Sequence, residues 1–245
     1  MVLYVFDMDG TLTPPRLPMS RDFAVGFNRW QKTHKCFVAT GSDYAKIEEQ
    51  LPPAVIDAFT GIYCSMGNVL KTRDDAGYVR EYAPPHALLE LLENFRKNTK
   101  YTGRLFPNYI ERRTGMVNFS VLGRDCPYEE REKYAAWDKI SRERLNIQTV
   151  LSEKFPELDI AVGGSISIDI TPKGRGKEQI AAHLRTSRPD EKIVFFGDRT
   201  FKGGNDYELS QALRRFPNTE IVQVDGPEDI EKLLDLKDEH DLSGT

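Results

Sequence analysis

Near its start the chain runs Val2-Leu3-Tyr4-Val5-Phe6 and then Asp7-Met8-Asp9-Gly10-Thr11-Leu12-Thr13. A short apolar run that meets an acidic, glycine-containing stretch reads as a buried strand delivering two carboxylates to a loop. Such a carboxylate can attack phosphorus and form an aspartyl-phosphate, which makes Asp7 the candidate nucleophile. Its charge opposes the approach to a phosphate anion, so a divalent cation is needed. Asp9 lies two residues on, where a loop can aim it back to protonate a leaving oxygen and later deprotonate an acceptor. Gly10 would let backbone amides approach phosphoryl oxygens. Taken alone, Asp-x-Asp-Gly also suits a metal-binding turn or an ordinary loop, so the rest of the chain has to decide.

A strand–helix rhythm follows. Arg21 to about Lys32 has a helical pattern, and Cys36 to Ala39 is a second apolar run ending in Thr40-Gly41-Ser42-Asp43. Ser42 or Asp43 can cap a helix from Tyr44 to Leu51. Tyr63 to Ser65 reads as a third strand before a Gly67-Asn68 turn. The rhythm returns with Ile193 to Phe196, then Gly197-Asp198, a helix from Glu208 to Arg215 and a strand from Ile221 to Val224. This alternation predicts an α/β fold with a doubly wound, Rossmann-like parallel sheet. Ligands of such sheets gather at the carboxyl ends of the strands, where Asp7, Ser42 and Asp198 all fall.

The middle of the chain differs. Tyr109 to Arg113 and Met116 to Leu122 flank a Thr114-Gly115 turn, and the period of two in the second run predicts a half-covered antiparallel strand. Tyr128 to Phe155 is mostly helical in character, and Ile160 to Thr171 is β-rich with a break at Gly163-Gly164. An α+β insertion over about 80–177 therefore interrupts a core made of 1–79 and 178–245. The tail from about Leu236 is polar and is expected to fray.

Several function classes recede on composition. A net charge of −4 gives no sign of a strongly basic nucleic-acid surface. Three cysteines without a CxxC pair, and four scattered histidines, indicate neither a zinc site nor a disulfide framework. No run approaches the roughly 18 apolar residues of a membrane span. The start also lacks the basic and long apolar parts of a signal peptide. A cytoplasmic protein with no membrane partner is the expectation.

The motifs narrow this further. Asp7 to Thr11 resembles the first motif, DxDGT, of the haloacid dehalogenase superfamily. The second motif, a Ser or Thr after the next strand, has candidates in Ser42 and Thr40; Ser42 fits better, though by itself it could be a simple helix cap. Lys177, after Gly174-Arg175-Gly176, stands where the superfamily's phosphate-holding cation is expected. Gly197-Asp198 with Asn205-Asp206 resembles the fourth motif. Asp198 would then bind magnesium together with Asp7 and the backbone carbonyl of Asp9, while Asn205 and Asp206 ligate or orient around it.

Over nearly its whole length the chain is similar to eukaryotic-type phosphomannomutases, whose inserted cap is of type C2b. The resemblance rests on Tyr109 to Asn118, Leu122 to Cys126, Glu129-Glu130-Arg131, Gly163 to Pro172, Thr11 to Arg16, Gly41 to Tyr44 and Phe195 to Asp206. It departs at Thr40, Arg112, Lys202 and around Lys173 to Gly176. Carried over, it implies that Arg113, Arg124 and Arg131 bind the distal phosphate of a hexose phosphate. Ser167 and Asp169 would touch that phosphate or the sugar hydroxyls, and Arg16 would contact substrate at the core–cap cleft. It also implies Mg2+, a hexose 1,6-bisphosphate activator and a homodimer joined through the caps. The expected reaction interconverts mannose 6-phosphate and mannose 1-phosphate. A sugar-phosphate phosphatase with the same machinery is the nearest alternative, and a noncatalytic binding protein on the same fold a remoter one.

Overall fold

The computed structural model describes residues 1–73 and 76–236. Contacts divide the chain into two units, Met1–Val79 with the segment from Arg175, and Arg80–Gly174. The chain thus returns to the first unit three residues earlier than the sequence suggests, and Lys177 belongs with Asp7.

The first unit begins with β1 (Val2–Phe6), α1 (Arg21–Gln31), β2 (Lys35–Ala39), α2 (Tyr44–Gln50), α3 (Pro53–Ala58), β3 (Gly61–Cys64), β4 (Val69–Thr72) and β5 (Tyr78–Val79). The second unit contains α4 (His86–Lys97), β6 (Ile110–Arg113), β7 (Met116–Phe119), α5 (Tyr128–Ser141), α6 (Glu143–Lys154), β8 (Leu158–Gly163) and β9 (Ser167–Pro172). The first unit then resumes with α7 (Gln179–Ser187), β10 (Lys192–Gly197), α8 (Tyr207–Arg214), β11 (Thr219–Gln223) and α9 (Pro227–Leu233).

Its sheet has the order β11-β10-β1-β2-β3-β4-β5. The strands from β11 to β3 pair in parallel, and β4 and β5 add an antiparallel edge. Alternate residues serve two covered faces, as a strand's period of two requires. Leu3 and Val5 of β1 and Ile193 and Phe195 of β10 join Ile180 and Leu184 of α7 and Leu209 and Leu213 of α8. Phe6, Val194 and Phe196 face the other way, with Phe23 and Phe27 of α1, Val55 of α3 and Ile230 of α9. The rings of Phe6 and Phe196 stack at 5.0 Å, one residue before Asp7 and two before Asp198. The β4–β5 hairpin leaves no sequence pattern, because its last strand is only two residues long.

In the second unit a sheet of order β6-β7-β9-β8 is antiparallel throughout. Its core joins Val117, Phe119, Ile160, Ile168 and Ile170 to Leu88 and Leu92 of α4, Tyr134 of α5, and Ile147 and Leu151 of α6. The expectation of a half-covered strand over Met116 to Leu122 does not hold. The strand ends at Phe119, and every residue of the stretch is buried. β7 lies inside the sheet, and the stretch makes polar side-chain bonds within the unit. Asn118 donates to Asp169 Oδ1 at 2.5 Å, and Ser120 Oγ accepts from Gly123 N–H at 3.2 Å.

The three cysteines are free and buried. Among the described residues no helix is long and apolar enough to cross a membrane. The polar tail expected to fray lies outside the described residues, except for Leu236, which packs against the core.

Candidate active site

Asp7 follows β1 directly, and its backbone N–H donates to Phe196 O at 2.9 Å. Its side chain is 2% exposed and Lys177 is 3% exposed. Lys177 Nζ lies 2.6 Å from Asp7 Oδ1 and 2.6 Å from Asp206 Oδ1. A buried ammonium is tolerable only when paired, and here two carboxylates hold it. Burial alone would lower its pKa, but Asp206 and Asp7 outweigh that and raise it. The lysine is fixed by its approach: Arg175 O accepts from Asn68 Nδ2 at 3.2 Å and from Gln179 Nε2 at 2.8 Å.

Asp198 follows β10 and is half-buried. Carboxylate oxygens of Asp7, Asp198 and Asp206 lie within 4.8 Å of one another. Asp7 Oδ2 and Asp198 Oδ1 are buried with no hydrogen-bond partner. Burial pushes Asp7 up to about 7, with Lys177 opposing and Asp206 adding to the rise. Asp198 is raised too, by burial and then by Asp206. Three carboxylates against one lysine, with two orphaned oxygens, are an incomplete charge balance. A hard divalent cation such as Mg2+ fits it, because the donors are all oxygen.

Gly10 sits at φ +83, and a Cβ there would meet Asp198 Oδ2 at 2.4 Å. Gly10→Ala therefore combines a left-handed backbone with displacement of this carboxylate. The variant is expected to bind Mg2+ about tenfold more weakly. A titration of Mg2+ against thermal stability reads this directly, and an unchanged midpoint would mean that Asp198 does not move.

Asp9 is held from several sides. Its Oδ1 accepts from Arg16 N–H at 2.7 Å and from Gln50 Nε2 at 3.0 Å. Ser42 Oγ approaches its Oδ2 at 3.5 Å. The helix-capping role falls to Asp43, whose Oδ1 accepts from Lys46 N–H at 2.9 Å, so the Ser42 hydroxyl is not used as a cap. Thr40 is buried, and its Oγ1 accepts from Ser42 N–H at 3.1 Å. Arg16 is exposed, with φ 63. Asn205 is exposed beside the fully buried Asp206. Gln50 went unread in the sequence. Its only signal is position: Ile47 and Gln50 form the buried stripe of α2, and an amide on an inward stripe needs a polar partner.

The second unit gathers its own cluster. Glu111 Oε2 lies 2.6 Å from Arg113 Nη2 and 3.3 Å from Arg124 Nε. Arg124 Nη1 donates to Ser167 Oγ at 2.8 Å, and Arg131 Nη2 donates to Arg124 O at 2.7 Å. The Arg124 pKa is lowered, first by burial and then by Arg113, with Arg131 adding to it. Asp169 projects from β9 toward Gly163, where a Cβ would meet its Oδ2 at 2.4 Å. Three guanidiniums, with the half-buried Glu111 among them and Asp169 also acting on Arg124, keep an excess of positive charge that suits an anion with several oxygens. A separate cavity of about 250 Å³, lined in part by Phe37, Tyr63, Tyr78, His183 and Arg188, contains none of these residues.

The family model for eukaryotic phosphomannomutase matches residues 24–237. The phosphomannomutase of Spinacia oleracea is 35% identical over 240 residues, covering 94% of this chain and 93% of its own length. That of Triticum aestivum is 33% identical over 234 residues, covering 89% of each. Among solved structures, a haloacid dehalogenase-like hydrolase from Bacteroides thetaiotaomicron covers 96% of this chain and 98% of its own. Its TM-score is 0.64, at 12% identity. A phosphatase of the haloalkanoate (HAD) superfamily from the same organism has a TM-score of 0.58 at 15% identity, covering 97% and 96%. At such identities these structures show the fold: a Rossmann-like core of the haloacid dehalogenase type.

Proposed function

The chain belongs to the eukaryotic phosphomannomutase family, and we propose that it interconverts mannose 6-phosphate and mannose 1-phosphate through an aspartyl-phosphate on Asp7. The observation that carries this reading is the buried Lys177 joining Asp7 to Asp206 while Asp7 Oδ2 is left without a partner. Asp7 Oδ2 attacks phosphorus of a hexose 1,6-bisphosphate activator, and the bond from phosphorus to the sugar oxygen breaks. Asp9 gives that oxygen its proton. In the next half-reaction a hydroxyl of the hexose monophosphate attacks the aspartyl-phosphate. Asp9 takes the hydroxyl proton, the Asp7–phosphorus bond breaks, and a bisphosphate forms. The bisphosphate then presents its other phosphate to Asp7, which completes the isomerisation.

Lys177 and the Ser42 hydroxyl hold the transferring phosphoryl group. Asp7, the Asp9 carbonyl and Asp198 would hold Mg2+, with Asp206 and Asn205 around them. The cation supplies neutralisation of the phosphoryl charge when bound. Arg113, Arg124 and Arg131, with Ser167 and Asp169, hold the remaining phosphate and the sugar hydroxyls, and Arg16 contacts the substrate. A homodimer through the second unit is part of the same reading, supported by exposed Tyr128 and Ile140 there.

The test follows mannose 6-phosphate and free phosphate in one tube, starting from mannose 1-phosphate, Mg2+ and a trace of glucose 1,6-bisphosphate. Isomer formation is expected to exceed phosphate release. Phosphate release without isomer would make the protein a phosphatase that uses the same Asp7.

A further inference from the structure

The three clustered arginines sit on separate pieces of chain: Arg113 at the end of β6, Arg124 in the turn after β7, and Arg131 in the first turns of α5. Something has to fix their mutual geometry, because a guanidinium recognises phosphate through direction as well as charge. The hydrogen bonds among them lead to one hydroxyl, Ser167 Oγ, which accepts from Arg124 Nη1. Ser167 opens β9 after the Gly163-Gly164-Ser165-Ile166 turn, and Gly164 stands at φ 50. A turn with two glycines is poor at holding a hydroxyl in place unaided.

What holds it is a buried ion pair from a different part of the unit. Arg144, in the first turn of α6, is 8% exposed, and Asp138, in the last turn of α5, is 7% exposed. Arg144 Nε donates to Asp138 Oδ2 at 2.8 Å, and the Arg144 backbone N–H donates to Asp138 Oδ1 at 2.9 Å. The other end of the guanidinium reaches the hairpin. Its Nη1 lies 3.2 Å from Gly163 O, 3.1 Å from Gly164 O and 3.3 Å from Ser167 O. One cationic nitrogen thus gathers three turn carbonyls, including that of Ser167 itself. A buried ion pair adds little net stability over an apolar filling of the same space. Its geometry accounts for its presence better: apolar side chains could fill the space but could not draw three carbonyls to one point.

We propose that Arg144, locked by Asp138, is a positioning residue for the phosphate-binding arginines: it sets the β8–β9 turn, the turn places the Ser167 hydroxyl, and the hydroxyl aims Arg124. Arg131 is tied in through its bond to Arg124 O, and Arg113 through the Glu111 carboxylate it shares with Arg124. Arg144 itself touches no substrate. The proposal rests on the reading of Arg124 as a distal-phosphate ligand.

The test compares Arg144→Lys, Asp138→Asn and Arg124→Gln with the full-length parent. Lysine keeps the charge but cannot bridge Asp138 and three carbonyls; Asn keeps the shape of Asp138 and weakens its hold. Two readouts are taken: kcat and KM for mannose 1-phosphate, and the rate at which Asp7 consumes acetyl phosphate, which has no distal phosphate. Arg144→Lys is expected to raise KM about tenfold, Asp138→Asn less, and both to leave the acetyl phosphate rate unchanged. A general loosening of the fold would instead lower both activities together. Arg124→Gln raising KM while both strut variants keep the parental KM overturns the strut and leaves the phosphate reading standing. Arg124→Gln leaving KM unchanged overturns both. If Arg144→Lys does not fold, Asp138→Asn decides by the same criteria.

Discussion

Asp7→Asn is expected to lower turnover about 10^4-fold or more, the scale on which loss of a covalent nucleophile is felt. Asparagine has the same shape and still accepts from Lys177, but its amide cannot form the acyl phosphate. The fold is expected to survive. Burial holds the Asp7 carboxyl up to about 7 in the metal-free protein, so its ionised form is costly to keep there. The amide is never ionised and escapes that cost, while Lys177 retains Asp206 as a partner. In chelator, the Tm of the variant should therefore equal or exceed that of the parent near neutral pH. A variant that keeps its turnover and still incorporates phosphate from a bisphosphate donor would remove Asp7 from the mechanism. A large fall in Tm would mean instead that the carboxylate is chiefly structural.

Lys177→Met should have the largest effect on stability. Methionine matches the stem of the lysine, so packing is largely kept. What is lost is the cation bonded to two carboxylates that are 2% and 0% exposed. Breaking a buried pair by removing one partner costs about 3–5 kcal/mol, which for a chain of this size is a fall in Tm of roughly 10 °C. Mg2+ should restore part of that fall, because a cation among Asp7, Asp198 and Asp206 supplies the missing positive charge. The rise in Tm on adding Mg2+ is thus expected to be larger in the variant than in the parent. Equal rises would show that the lysine and the cation do not share those carboxylates. Turnover should fall about 100-fold or more even with saturating Mg2+, since a preorganised cation at the transferring phosphoryl group is gone.

The heart of the parallel core was legible because β1 and β10 are short apolar runs followed by a chemically marked residue. Val2 to Phe6 is followed by Asp7, and β10 by Asp198; both strands form as their runs suggest. What escaped reading was whatever depends on strand pairing that leaves no local pattern. β5 is two residues long and exists through β4. β7 alternates as a half-covered strand would, yet Asn118 is buried because Asp169 on β9 meets it. The site divides along the same line. Asp7, Ser42, Lys177, Asp198 and Asp206 stand in motifs, and the fold brings Asp7, Lys177, Asp198 and Asp206 together. Gln50 is marked only by its place on the inward stripe of α2, Glu111 lies in a motif stretch without standing out there, and Asp138 and Arg144 carry no local signature. Their roles arise from contacts with Asp9, with two arginines, with each other and with a turn, none of which leaves a spacing in the sequence.

The pairing of β1 between β10 and β2 has a consequence for how the chain is made. The strand that leads into Asp7 is synthesised before both of its neighbours, and one of its two edges stays open until β10 emerges. At about 5–20 residues per second, the stretch between β5 and β10 takes roughly 10 s to translate. The Arg80–Gly174 unit is continuous and can close during that interval. The newborn chain therefore carries one finished unit and one unfinished, with the sticky edge Val-Leu-Tyr-Val-Phe unsatisfied. A chain cut short before Lys192 is prone to self-association and lacks the Phe196 carbonyl that accepts from the Asp7 backbone N–H.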